Sequence, residues 1–442
     1  MENRNFIVQG DICWCKDPQT LETRAGAFLV CAGGKSAGVF SRLPEQYAAF
    51  PLLDYSGRLI IPGLVDLHIH APQFAFRGLG MDLELLEWLE TRAFPEEAKY
   101  RDLQYARRAY GLLVEHLKKG PNTRLVIFAT VHTPATLLLM DLLEESGLVS
   151  LTGKVNMDRN SPDILREAGA AASLAETGEW LEACFSRNSG SGYKNTRPIL
   201  TPRFIPSCSD ELMRGLGDLR RKYRLPVQSH LSENKKEIEW VRKLCPESGG
   251  YGAAYDGFGL FGAAADAPSA APVVMAHCVW SDEKEIALMA GQGVFAAHCP
   301  QSNTNLSSGI APVRHFLEAG VPAGLGSDIA GGVHSSIFRA MVDAIQVSKL
   351  RRSLLGLDEK ALSMEEVFYL GTAGGGAFFE RCGMGRAGSF EPGCDFDALV
   401  IEDTDIAAPF GLSIRERLER TVYLSEERHI TAKYVRGRKI SR

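Results

Sequence analysis

None of the ten cysteines in this 442-residue sequence forms a C-x-x-C pair, and the chain shows neither an internal repeat nor a low-complexity tract. The cysteine pattern therefore fits neither a disulfide scaffold nor a zinc ribbon. No stretch approaches the ~18 uninterrupted apolar residues of a membrane span. The opening residues, Met1 to Asn5, lack the apolar run of a secretory signal. Positive charge is not in surplus: 49 Lys and Arg stand against 54 Asp and Glu, a net charge of −5. That balance leaves no electrostatic footprint for nucleic acid or an anionic membrane. Short basic pairs such as Arg351-Arg352 and Lys235-Lys236 read as solvated helix faces. A hydrophobic content of 45% and a charged content of 23% suit a soluble globular protein. The cysteines then read as reduced thiols in a cytoplasmic protein, including Cys278 and Cys299, each of which follows a histidine.

The two ends of the chain read as β and the middle as alternating strand and helix. Phe6-Ile7-Val8, Ala27 to Cys31 and Leu59-Ile60-Ile61 are short strand-like runs separated by turn residues. The last ~55 residues look similar, with Asp397 to Ile401, Arg420-Thr421-Val422-Tyr423 and Lys433 to Gly437 expected as strands. Between them, strand-like pieces at 64–70, 124–130, 150–156, 198–204, 226–230, 272–278, 293–298 and 322–327 alternate with amphipathic stretches at 97–119, 209–223, 233–245 and 363–380. Eight strands interleaved with helices predict an α/β protein: a distorted (β/α)8 TIM barrel over 64–388. A small β-sandwich unit is expected from residues 1–63 together with 389–442. The Gly- and Ala-rich stretch 248–271 reads as a long surface loop or lid.

Chemistry-bearing residues fall where these strands end. Asp66-Leu67-His68-Ile69-His70 closes the first strand, and alternation along a strand sends His68 and His70 to one face. His230, His277 and Asp328 end three later strands. Singly, each has an ordinary explanation, a satisfied core histidine or a helix-capping aspartate. Jointly, imidazoles and a carboxylate at the C-terminal rim of a barrel suit Zn2+. Bound zinc lowers the pKa of a water to about 7 and so supplies a nucleophile at neutral pH. Glu233, three residues past His230, can turn back over that site as a proton shuttle, or simply compensate charge at a helix start beside Ser232. Two other motifs are rejected. Gly383-Met384-Gly385-Arg386-Ala387-Gly388 matches G-x-G-x-x-G but leads into a turn and strand instead of a helix. Gly374-Gly375-Gly376 has no Lys-Ser/Thr after it and is read as close packing of a helix on the barrel.

Several segments carry a family resemblance that covers nearly the whole chain. They are Pro62 to Gln73, Leu85-Leu86-Glu87-Trp88-Leu89, Thr201-Pro202-Arg203-Phe204, Gln228 to Asn234, His298 to Asn303 and Gly326 to Gly332. In these the sequence resembles the amidohydrolase superfamily, and within it the branch that deaminates guanine. The resemblance implies that His68, His70, His230 and Asp328 hold zinc, with iron as the alternative ion, and that His277 hydrogen-bonds the reacting centre. Binuclear members place a carboxylated lysine at the end of strand 4. Here that strand ends Ile199-Leu200-Thr201-Pro202-Arg203, which implies a single ion per subunit. Gln73, Arg203 and Phe204 match purine-holding positions, joined at the substrate by His70, His230, Glu233 and Asp328. The implied reaction is hydrolysis of guanine to xanthine and ammonia, with Glu233, His277 and Asp328 as the catalytic groups. Another aromatic aminohydrolase of the same barrel, acting on 8-oxoguanine, an adenosine-derived nucleoside, a triazine or a pterin, is the alternative. A non-catalytic scaffold barrel is the remote one. A homodimer with a small-molecule purine substrate is implied, with no nucleic-acid or membrane partner. No function is carried onto 185–197 or 248–271.

Overall fold

The computed structural model describes residues 4–190, 192–262 and 271–441. Residue 191 of the stretch 185–197 and residues 263–270 of the stretch 248–271 lie outside the described residues.

Strands β1 (Phe6–Asp17), β2 (Thr20–Ala32), β3 (Lys35–Phe40) and β4 (Leu52–Pro62) come from the start of the chain. They share one seven-stranded sheet with β15 (Ala398–Ile401), β16 (Ile430–Val435) and β17 (Arg438–Ser441) from its end, in the order β17-β16-β15-β4-β1-β2-β3. Phe6 on β1 and Tyr434 on β16 sit three strands apart, which would separate them by about 14 Å in a flat sheet. Their rings lie 5.4 Å apart instead. The sheet therefore curls over its own core of Val8, Ile12, Leu29, Ile60, Phe396 and Val400, and an antiparallel bridge from Lys35 to Asp395 draws its edge round.

The barrel strands are β5 (Leu64–His70), β6 (Asn122–Phe128), β7 (Val149–Gly153), β8 (Val155–Asn156), β9 (Thr196–Pro198), β10 (Thr201–Pro202), β11 (Val227–Leu231), β12 (Val273–His277), β13 (Phe295–His298) and β14 (Ala323–Leu325). Two parallel ladders, β5-β6-β7-β9 and β11-β12-β13-β14, form its halves. A parallel bridge from Leu200 to Val227 joins them on one side. On the other, the Asp328 amide donates to the His68 carbonyl at 2.8 Å and the His70 amide to the Ile329 carbonyl at 3.1 Å. The closing seam thus runs through the expected site residues themselves.

Two sequence expectations are corrected. Arg420-Thr421-Val422-Tyr423 is not a strand but lies in the helix Ile414–Leu424. A Ser413/Glu416 capping box starts that helix, and Leu418, Thr421 and Val422 bury one face at helical spacing, which overrides the β-branched pair. Tyr251–Gly257, inside the stretch expected as a loop, is also helical.

The glycine triplet packs as expected. A methyl group on Gly375 would meet the Val65 side chain at 2.9 Å, and one on Gly376 would meet the Ala387 carbonyl oxygen at 2.2 Å. Backbone cannot yield as a side chain tip can. Gly376→Ala is therefore expected to destabilise the fold by about 1–3 kcal/mol, the usual cost of overpacking, read as a lowered melting temperature. A melting temperature equal to wild type would contradict this packing.

Buried charges link sheet to barrel. Arg124 at the start of the barrel donates to Asp397 at 2.7 Å and to Asp395 at 2.6 Å, and Lys433 of β16 donates to the carbonyls of Leu117 and Gly120, both at 2.9 Å. The lysine thereby satisfies carbonyls at the C-terminal end of the helix Leu103–Lys119, which that helix cannot satisfy itself.

Candidate active site

His68, His70, His230, His277 and Asp328 converge at the C-terminal ends of β5, β11 and β12 and in the loop after β14, all buried. The His68 and His70 Nε2 atoms stand 3.2 and 3.6 Å from Asp328 Oδ1. The Nε2 atoms of His70 and His230 are 3.2 Å apart. His277 Nε2 is 3.6 Å from Glu233 Oε2 and 3.8 Å from Asp328 Oδ2. Ligand atoms of His68, His70 and Asp328 fall within 4.8 Å of one another, as do those of His68, His230 and His277. Phe128 packs its ring 5.0, 4.6 and 4.8 Å from the rings of His68, His70 and His230, closing the apolar side.

Local backbone aims these groups. His277 and Asp328 have φ of 72° and 46°, and Ser232, between His230 and Glu233, has φ of 47°. Non-glycine residues rarely occupy this left-handed region, and such strain persists only where the surroundings over-determine it. Asp66 supplies one such restraint, accepting from the Ser327 amide at 3.0 Å, the Ser327 hydroxyl at 2.6 Å and the His68 amide at 3.2 Å.

The residues present fit a cation. His230 Nδ1 lies 2.6 Å from the Arg203 carbonyl oxygen, so it carries the proton and leaves the Nε2 lone pair facing His70. His68 Nε2 is buried against the Asp328 carboxylate. Burial, reinforced by neighbouring imidazoles, holds His70 and His230 well below the usual imidazole range. Burial would raise Asp328, yet the His68, His277 and His70 imidazoles hold its carboxyl well below the usual range. Neutral imidazoles around an ionised carboxylate are the state a divalent ion requires of its ligands. His277 differs: burial opposes its charge, but Glu233 and Asp328 outweigh burial and raise it. Its Nδ1 donates to Asn303 Oδ1 at 2.8 Å. Burial raises Glu233, whose Oε1 accepts from the Ser308 hydroxyl at 3.1 Å.

Gln73, Arg203 and Phe204 line the same cavity as Glu233, His277 and Asp328. The residue that organises Gln73 and Arg203 was given no role by the sequence: Glu97, buried in the helix Phe94–Ala98. Arg203 donates to Glu97 through two nitrogens, at 2.5 and 3.0 Å, and Gln73 Nε2 donates to it at 2.9 Å. The Ala330 amide donates to Gln73 Oε1 at 2.9 Å, which fixes the orientation of the side-chain amide. Both polar side chains therefore reach the cavity from a single anchored frame. Glu237 also lines the cavity and was likewise unassigned. Only the Glu96-Glu97 pair after Pro95 marks the helix start in sequence; nothing there signals contacts with residues 24 and 106 positions away. Glu97→Gln is expected to raise KM for the substrate that this cavity takes about tenfold or more, since it replaces a charge-assisted bidentate pair, while metal content stays constant. An unchanged KM would show that Arg203 and Gln73 hold their positions without it.

A barrel whose strand ends gather imidazoles and a carboxylate around one point is built for metal-assisted hydrolysis. The chain belongs to the amidohydrolase family, whose profile matches residues 59–440. That family is metal-dependent. Guanine deaminase from Dictyostelium discoideum is 39% identical over 88% of this chain and 84% of its own length. Guanine deaminase from Homo sapiens is 36% identical over 86% and 82%. The crystal structure of guanine deaminase from C. acetobutylicum, with guanine bound in its active site, superposes with a TM-score of 0.92 at 44% identity, covering 99% of this chain and 100% of that one.

Proposed function

We propose that the protein hydrolyses guanine to xanthine and ammonia, using one zinc ion per subunit held by His68, His70, His230 and Asp328. The observation that carries this reading is the joint anchoring of Gln73 and Arg203 by Glu97 on the wall of the cavity that holds Glu233, His277 and Asp328. The similarity to guanine deaminases over most of the chain supports the same substrate.

When bound, the ion supplies Lewis acidity and lowers the pKa of water at the site. The chain's own groups do the rest. Arg203 offers only donors, to carbonyl or ring-nitrogen acceptors of the purine, while Gln73 offers a donor and an acceptor. Phe204 presents an aromatic face to the ring. Asp328 accepts a proton from the attacking water as the oxygen bonds to C2. Glu233 delivers a proton to N3, and His277 donates to the developing tetrahedral centre. The proton taken by Asp328 passes to the exocyclic amine, the C2–N bond breaks and ammonia leaves. Loss of the hydroxyl proton to Glu233 forms the C2 carbonyl of xanthine and restores the acid. The water oxygen thus ends in xanthine, one of its protons in ammonia and the other on Glu233, where it replaces the proton that Glu233 gave to N3.

The same reading places the enzyme in purine salvage or catabolism, as a cytoplasmic homodimer. No helix among the described residues is long and apolar enough to cross a membrane. The test is to mix protein carrying one equivalent of zinc with guanine and follow loss of its absorbance together with ammonia release. Stoichiometric xanthine and ammonia are expected; no turnover overturns the assignment. Gln73→Ala and Arg203→Ala are expected to raise KM for guanine without lowering metal content, and guanine kinetics untouched by both would redirect the substrate to another aminohydrolase class.

A further inference from the structure

The turn that brings Glu233 over the site is strained, and one side chain holds it from beneath. Between His230 and Glu233 the backbone passes through the left-handed conformation at Ser232. Ser232 itself is tied outward, its hydroxyl donating to Glu285 at 2.8 Å and its carbonyl accepting from the Trp280 amide at 2.9 Å. On the inner side, Glu237 Oε2 accepts from the amides of Glu233 and Asn234, both at 3.2 Å. Its other oxygen accepts from the Tyr251 hydroxyl at 2.6 Å.

As the third residue of the helix Lys235–Leu244, Glu237 completes a capping box with Asn234. A capping box needs only the bond to the Asn234 amide. The bonds to the Glu233 amide and to Tyr251 are additional, and both are buried. Tyr251 stacks on Tyr255, with rings 5.6 Å apart and 11° from parallel. The Tyr255 hydroxyl donates to the His230 carbonyl at 3.0 Å and lies 2.7 Å from the Ser229 hydroxyl. The short helix Tyr251–Gly257 therefore grips both ends of the segment Ser229 to Glu233: Tyr255 holds the end of β11, and Tyr251, through Glu237, holds the backbone of Glu233.

We propose that Glu237, fixed by Tyr251, is a positioning residue that sets where the Glu233 carboxyl stands over the substrate. This rests on the proposed deamination, in which Glu233 moves the protons. Tyr251→Phe removes one hydroxyl and leaves the stacking intact. Glu237→Gln keeps an acceptor for the two backbone amides only by turning its NH2 towards Tyr251, whose hydroxyl must then accept instead of donate, so the charge-assisted bond that fixes the side chain is lost. Small displacements of a reacting group cost up to about 100-fold in rate, so each variant of the zinc-loaded enzyme is expected to lose about tenfold or more in kcat. KM for guanine, set by Gln73, Arg203 and Phe204, should move less than about threefold, because only a transition-state interaction is disturbed. Metal content should stay at one equivalent. The double variant should be no slower than the slower single one, since both act on one linkage. Asn234→Ala removes the other half of the capping box, the bond from the Glu237 amide to the Asn234 side chain, and with it the bond from the Lys236 amide at 2.9 Å. It should lower the melting temperature and leave kcat unchanged. Wild-type kcat in the singles, or an equal loss of kcat in Asn234→Ala, overturns the positioning role in favour of plain helix capping. Wild-type enzyme is assayed alongside: its failure to turn over guanine overturns the parent reading, and this inference with it, which is a separate outcome.

Discussion

Glu233→Gln is expected to lower kcat for guanine about 10³-fold, within the 10²–10⁴ that a positioned acid–base group contributes. Glutamine keeps the shape of the side chain and can still accept from the Ser308 hydroxyl, so the cavity should stay intact. What it loses is the exchangeable proton. Burial raises the Glu233 carboxyl, which therefore retains a proton to higher pH than an exposed glutamate would. Of the other carboxylates lining the cavity, Asp328 is held ionised by its histidines, and Glu237 is already occupied by Tyr251 and two amides. Neither can replace Glu233 without losing its present partners. Steady-state kinetics with metal analysis checks this: kcat should collapse while KM and metal content hold. A loss of less than about fivefold would move the proton-transfer role to another group.

How much of this was legible beforehand follows from the range over which each signal acts. Side-chain alternation is local, so His68 and His70 could be placed on one face from five residues of sequence, and β5 does run Leu64–His70. Strand-to-helix spacing is local too, which is why Glu233 could be set over the site from its distance to His230. Glu97 had no such signature. Its partners lie in the segment after β5 and just beyond β10, and only barrel closure brings them together. Tyr251 was hidden differently: the Gly- and Ala-rich composition of its segment outweighed the helix it sits in. In Ile414–Leu424, a local propensity for strand at Thr421 and Val422 lost to a capping box and a buried face, the usual way tertiary context overrides propensity. The glycine triplet was read correctly because steric exclusion needs no partner identity, only the absence of a side chain.

Removing metal with a chelator is expected to abolish guanine turnover altogether, and one equivalent of zinc to restore it. The site's electrostatics explain why the loss should be complete. The His230 Nε2 lone pair faces His70 Nε2 at 3.2 Å, and His68 Nε2 faces the Asp328 carboxylate at 3.2 Å, with all three rings buried. Protonating these rings could relieve the lone-pair repulsion, but burial holds all three below the usual imidazole range. A divalent cation meets the same need without asking a buried imidazole to carry charge. The linkage also predicts a stability change. An ion that binds only the folded chain adds about 2.7 kcal/mol when free ion stands at 100 times its dissociation constant, so the chelated protein should melt at a lower temperature. Titrating zinc and ferrous iron separately into stripped protein, with melting temperature and turnover read together, distinguishes the two ions. The one that restores both at one equivalent is the working metal. Full turnover by protein shown to be metal-free would remove His68, His70, His230 and Asp328 from a ligand role and leave the convergence of their lone pairs without a purpose.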